Sequence, residues 1–419
     1  MYEKNKLIFV AVIIAYTAYY FLRKNFSVAI PYLQDQIPQD KLGLIMSAVS
    51  LAYGFSNLLM GFLTDYINPK KFLIFGLLIS VLANLIFGFS PLGDYEIAMF
   101  ILMFINGLAQ GIGYPTSIKI ITNYAQTNKQ QNTVITLWSM GQNIGGGLMS
   151  PLATSGIVLI SLLNISIISS YKGIFIFPAI ICLILTCICL IFIYISRDKG
   201  VLSKELPNET QKFSMKQVRQ NMFDLMKDNI FILLIFINII AYFIRYAILD
   251  WSPTILHHNK HMNSNYASIL YMLYEWSGII GTFIFSMFIK KYKSKWHPLV
   301  TAIFIALILI STSLYFYTNF DNKLLDSLIF IIIGMLIYGP LLYVNVETMN
   351  TLPSQYIGAA IGILGFGGNV IGAFSANAAV GYLMSFSFHY MCLFILLLEA
   401  IGILLCFILF NKKQSSYST

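Results

Sequence analysis

Charge is scarce in this chain. Asp, Glu, Lys and Arg make up 10% of its 419 residues, against about 25% in a soluble globular protein. A water-soluble domain of this size could not cover its surface with so little charge, so that class is excluded. Cysteine is scarce as well. Cys182, Cys187, Cys189, Cys392 and Cys406 all fall inside apolar runs without a pairing pattern or metal-ligand spacing, and they read as small buried hydrophobes. A Walker motif, HExxH, CxxC and GxSxG are missing, and His257, His258, His261, His297 and His389 lie near the ends of apolar stretches. The chain therefore offers no enzymatic machinery and implies neither cofactor nor metal.

What is present is apolar. Hydrophobic residues reach 58% and the mean hydropathy is +0.76. Twelve apolar stretches lie at 7–33, 43–63, 72–91, 97–122, 133–163, 173–196, 229–256, 267–289, 298–318, 325–350, 357–386 and 389–411. Barrel strands need about ten residues and membrane helices about 20, so an all-α membrane protein of twelve transmembrane helices is predicted. The first stretch is too long for a cleavable signal peptide and reads as a span. With both termini inside, 18 of the 26 basic residues fall in inner segments and only Lys41, Lys172, Lys260 and Lys323 in outer ones, which makes both termini cytoplasmic. Net charge +9 is thereby spread over every inner loop, and nucleic-acid binding loses its support.

The longest hydrophilic segment, 197–228, mixes both charge signs and divides the chain into a first six-helix half at 1–196 and a second at 229–419. The halves repeat. Tyr20-Phe21-Leu22-Arg23 with Pro31 is matched by Tyr242-Phe243-Ile244-Arg245 with Pro253, and Tyr53-Gly54-Phe55-Ser56 by Tyr274-Glu275-Trp276-Ser277. Later, Pro115 is matched by Pro340 and Gly141-Gln142-Asn143 by Gly367-Gly368-Asn369. Ordered matches at a nearly constant offset point to a duplicated unit, the trace of many transporter folds.

Arg23 and Arg245 each sit just past the middle of a span. An arginine there costs about 2.5 to 3.5 kcal/mol on insertion scales, so it must face a cavity or a partner. Each could be a packing arginine held by a carboxylate. Equivalent positions in the two halves favour instead a pair converging on a dianion, since guanidinium presents a fixed fork to phosphate or carboxylate oxygens. Tyr16 and Tyr20 share a helix face with Arg23, and Tyr53 and Tyr274 occupy equivalent places in the repeat. Lys24, Asp250 and Glu275 form a second set, of which only Lys24 belongs to the first half. A bridge from Lys24 to Asp250 or Glu275 would join the halves, as a static buried pair or as a gate. Glu347 is a further buried-acid candidate. Between the second and third stretches, Asp65 can cap helix ends while Lys70 and Lys71 mark the inner side, a loop expected to couple conformational change. The glycines of 141–147 and 362–372 read as close-packing surfaces.

The chain resembles the organophosphate:inorganic phosphate antiporters of the major facilitator superfamily, most closely their glycerol-3-phosphate carriers. The resemblance is carried by Tyr19-Tyr20-Phe21-Leu22-Arg23-Lys24-Asn25-Phe26, Ala52-Tyr53-Gly54-Phe55-Ser56, Asn143-Ile144-Gly145-Gly146-Gly147 and Arg245-Tyr246-Ala247-Ile248-Leu249-Asp250-Trp251-Ser252-Pro253-Thr254. It implies two pseudo-symmetric six-helix halves and exchange of an organophosphate for inorganic phosphate by alternating access. It also implies a monomer in a bacterial inner membrane, a phosphate-binding pair at Arg23 and Arg245, tyrosines 16, 20 and 53 lining the site, and interdomain ion pairs from Lys24, Asp250 and Glu275. Two departures stand out: Gln142 replaces a histidine and Asn57 a lysine. Gln142 can still hydrogen-bond phosphate but cannot take a proton. Alternative readings are a hexose phosphate, phosphoglycerate or other organic anion carrier, and a sugar-phosphate sensor built on a transporter-like body.

Overall fold

The computed structural model describes residues 2–64, 67–163, 169–196, 223–317 and 323–418. Among these residues every regular element is helical. Eleven helical segments have the length and apolarity to cross a membrane, and the continuous helix Gln39–Leu63, of 25 residues, takes the place of the second expected span. Asp65 and most of the expected linker, 197–222, lie outside the described residues.

Polar residues at the span ends start the helices where the apolar runs begin. Asn68 accepts hydrogen bonds from the Lys70 and Lys71 amides with Pro69 in the first turn. Asp228 accepts from the Ile230 and Phe231 amides, and Asn263 from that of Tyr266. Each side chain satisfies amides that have no partner inside the helix.

The first span is not continuous. It runs as Tyr2–Phe21 and Asn25–Leu33, and the residues of the break are Leu22, Arg23 and Lys24. Backbone freed inside a membrane must find partners, because lipid offers none. The fourth span, Glu96–Tyr124, supplies them: Asn106 Nδ2 donates to the Leu22 carbonyl at 2.8 Å and Gln110 Nε2 to the Tyr19 carbonyl at 2.9 Å. Asn25 donates to Asn84 of the third span at 3.1 Å. The break places two cations of adjacent sequence on different headings.

The halves meet from mid-membrane to the end opposite the chain termini, called distal below. The second span meets the eleventh at Gly43 and Gly381, where a Cβ on Gly43 would stand 2.6 Å from the Asn377 carbonyl oxygen. The fifth span, Asn128–Leu162, meets the eighth, Ser264–Lys291, through Ser150 and Thr154 against Ser268. Tyr32 donates to Ser264 at 3.0 Å. Small residues let helices approach closely where there is no hydrophobic drive to associate. In the eleventh span, Gly367–Ala373 adopts π-helical geometry, and Asn369 Nδ2 returns a hydrogen bond to the Gly365 carbonyl at 2.8 Å.

Candidate functional site

Arg23 is 7% exposed and Arg245 6%. Both are held deep between the halves, in unlike surroundings. The Arg23 guanidinium carbon lies 3.8 Å from the centre of the Tyr53 ring and 5.4 Å from that of Tyr20. Its Nη1 donates to the Tyr20 hydroxyl at 3.3 Å, and that hydroxyl lies 3.4 Å from the hydroxyl of Tyr16. Tyr16 in turn stacks against Trp138 with ring centres 4.3 Å apart. Among the described residues no carboxylate pairs with Arg23. Its charge is met by ring faces and a hydroxyl, which together give far less than a carboxylate.

Arg245 carries its own counter-ion. Nη2 lies 3.3 Å from Glu275 Oε1 and donates to the Tyr338 hydroxyl at 2.6 Å, and that hydroxyl donates to Glu275 Oε2 at 2.5 Å. The Arg245 Nε is buried without a hydrogen-bond partner. Tyr246, one residue on, interacts electrostatically with Arg23, Lys24 and Arg245, and its ring stacks on Tyr242 with centres 5.9 Å apart.

Lys24 Nζ lies 2.5 Å from Asp250 Oδ1, joining the first span to the seventh. It also sits 3.9 Å from the centre of the Tyr246 ring. Asn377 of the eleventh span donates to the second oxygen of Asp250 at 3.1 Å. Arg23, Lys24, Tyr246, Asp250 and Asn377 line one narrow cavity between the halves together with apolar Phe26, Met46 and Val49, and Arg245 stands outside its lining.

Several expected residues fall elsewhere. Glu275, expected in an ion pair between halves, pairs instead with Arg245 of its own half, because Lys24 is already taken by Asp250. Tyr274 is fully buried against Phe330, its hydroxyl without a partner, so it packs inside the second half and does not line the cavity. Gln142 is partly buried on the fifth span, one turn beyond Trp138. Lys70, in the first turn of the third span, lies over the Tyr124 ring at 4.4 Å at the proximal end of the spans. Glu347 is removed from the site: it pairs with Lys413 and lies 3.7 Å from His297. Tyr338, Tyr246, Trp138 and Asn377 were not singled out by sequence, since tyrosine is common here and their partners lie on other spans. A second buried acid, Glu399, accepts from Thr312 at 2.8 Å in the last span and also escaped notice.

The residues matched by the Major Facilitator Superfamily run from 12 to 376. The chain belongs to the Major Facilitator Superfamily. Within it the chain is 34% identical over 396 residues to the glycerol-3-phosphate transporter of Bacillus subtilis (strain 168), covering 91% of this chain and 87% of that protein. It is 27% identical to the phosphoglycerate transporter protein of Salmonella typhimurium, covering 89% and 82%. It is 28% identical to the hexose-6-phosphate:phosphate antiporter of Escherichia coli (strain K12), covering 89% and 81%. These relatives place it among the organophosphate:inorganic phosphate antiporters, which are transporters and not enzymes. In fold the chain is similar to an inward-facing bacterial homolog of the human lysosomal transporter Spinster, with a TM-score of 0.80 over 98% of both chains at 12% identity. It is also similar to the nucleoside transporter NupG, with a TM-score of 0.71 over 98% and 99%. This superfamily member is therefore a secondary transporter of the multi-pass membrane class.

Proposed function

We propose that this transporter exchanges glycerol-3-phosphate for inorganic phosphate, with the phosphate group held between Arg23 and Arg245. The observation that carries the reading is the asymmetry of the pair. Arg23 is buried without a carboxylate, while Arg245 is held by a carboxylate that a dianion can displace. A phosphate entering between them gains two bidentate partners, one from each half, and draws the halves together. Tyr20, Tyr16 and Tyr53 offer hydroxyls and ring faces on the first-half side, and Tyr338 and Tyr246 on the other. Gln142 is assigned to hydrogen-bond the substrate. The Lys24–Asp250 pair is assigned as a distal gate and the Asp65, Lys70, Lys71 loop as the coupling element. Rocking of the 1–196 half against the 229–419 half alternates access. Exchange follows because an empty site leaves Arg23 uncompensated and crosses slowly.

Glycerol-3-phosphate is preferred over phosphoglycerate and hexose phosphates on the strength of the relative at 34% identity. The chain is assigned to a bacterial inner membrane as a monomer with both termini cytoplasmic. Counterflow in proteoliposomes tests the reading: labelled phosphate should exchange for external glycerol-3-phosphate in preference to glucose-6-phosphate or 3-phosphoglycerate. Arg23→Lys and Arg245→Lys should each lower exchange by about a hundredfold, because an ammonium cannot reproduce the planar fork. Full exchange by either variant rejects the site, and binding without exchange identifies a sensor.

A further inference from the structure

We propose that a cleft on the outer surface of the second half holds one acyl chain of an anionic phospholipid, with the lipid phosphate bound by the lysines of the loop between the eighth and ninth spans. This inference does not depend on the transported substrate. The cleft lies between the eighth span and the ninth, His297–Tyr317, and is floored by Met335 and Leu336 of the tenth, Lys323–Thr351. Its volume is about 590 Å³, within the range of about 300 to 1,000 Å³ found for ligand pockets. Gly281 sets its floor by letting the eighth span close on the tenth. A Cβ there would stand 1.7 Å from the Met335 carbonyl oxygen, so the eighth and tenth spans touch backbone to backbone and the ninth is left standing off.

The shape and chemistry select a lipid tail. The walls are apolar, including Phe288, Ile303, Phe304 and Leu307. From Trp296 at one end to Leu307 at the other, helical rise accounts for about 16 Å. That is about half of the ~30 Å hydrocarbon thickness, the depth of one leaflet. A polar solute would find nothing to bond along this length.

The open end selects negative charge. Tyr292 and Trp296 line the mouth, and amphipathic rings of this kind sit at the head-group level. Lys291 Nζ lies 5.8 Å from the centre of the Tyr292 ring and Lys295 Nζ 5.7 Å from that of Trp296. Lys290 and Lys293 beside them are exposed. Between Glu275 and Asp321 the sequence contains no acid. Glu347, packed beneath the loop, is fully buried and paired with Lys413, which also reaches Ser294 of the loop at 3.2 Å. Four lysines over an apolar slot of one-leaflet depth complement a phosphate head group and its chain, and fit a zwitterionic lipid less well.

Native mass spectrometry of the delipidated full chain, titrated with palmitoyl-oleoyl phosphatidylglycerol or the matching phosphatidylcholine, tests the proposal. The first phosphatidylglycerol should bind at least about fivefold more tightly than phosphatidylcholine. K290Q/K291Q/K293Q/K295Q should remove the difference, and Ile303→Trp, which fills the cleft from its exposed wall, should lower binding of the same lipid without altering phosphate exchange. Equal binding of the two lipids overturns the site. So does a phosphatidylglycerol preference that survives the quadruple lysine variant, or phosphatidylglycerol binding that Ile303→Trp leaves unchanged; either would place the lipid elsewhere.

Discussion

Arg23 and Arg245 are equivalent in the repeat but differ in their neighbours, and under the proposed phosphate site the difference makes Glu275 a competitor of the substrate. Glu275→Gln removes a negative charge 3.3 Å from Arg245 while keeping the side chain's shape. Phosphate affinity, measured by equilibrium binding to purified protein, should rise by about three- to tenfold, equivalent to about 0.7 to 1.4 kcal/mol. A fall in affinity would show that Glu275 serves to orient Arg245. The two arginines were legible because a charged residue inside an apolar run is conspicuous, and the repeat doubled the signal. Tyr338 was not, because a tyrosine among 26 carries no such contrast. Its role comes from standing 93 residues away from Arg245 in sequence and within 2.6 Å in space.

At the scale of the element, the break in the first span depends on the fourth. Asn106→Leu leaves the Leu22 carbonyl without a partner in a region that excludes water, which should cost about 1 to 3 kcal/mol. A lowered unfolding temperature in detergent would show this, and an unchanged one would mean that the freed carbonyl is satisfied otherwise. The distal seal depends on Gly43 in the same way. Gly43→Val places a side chain where a Cβ alone meets the Asn377 carbonyl oxygen, so distal closure should fail. Exchange should drop at least about tenfold, and a cysteine at Ser268 should become more reactive toward an impermeant maleimide added from the distal side. Helix existence and number followed from the length of the apolar runs. The break at residues 22–24 did not, because nothing in that stretch is a helix breaker; the side chains of another span stabilise it.

For the molecule as a whole, the Lys24–Asp250 pair is a charged link between the halves, with Asp250 five residues to the distal side of Arg245 on the seventh span. Asp250→Asn strands a buried ammonium, a loss of about 3 to 5 kcal/mol for such a pair, and exchange should fall by at least about tenfold. The swap Lys24→Asp with Asp250→Lys should recover part of it, held short by the misplaced cation over the Tyr246 ring. No recovery at all would show that the pair serves packing alone. Lysines at the distal end fit the same larger picture. Lys41, Lys172 and Lys260 pair with Glu96, Asp94 and Asp326, so these three cations are neutralised locally.

Composition alone determined that the chain lies in a membrane, since too little charge remains to cover a surface in water. The spacing of apolar runs determined twelve spans, and the repeat determined where an anion site had to be sought. Only the tertiary structure decided which carboxylate each cation takes, because partners lie tens to hundreds of residues apart and several pairings satisfy the same charges. Lys24 reached Asp250 and left Glu275 to Arg245. That choice follows from the break in the first span and the packing of the seventh against it.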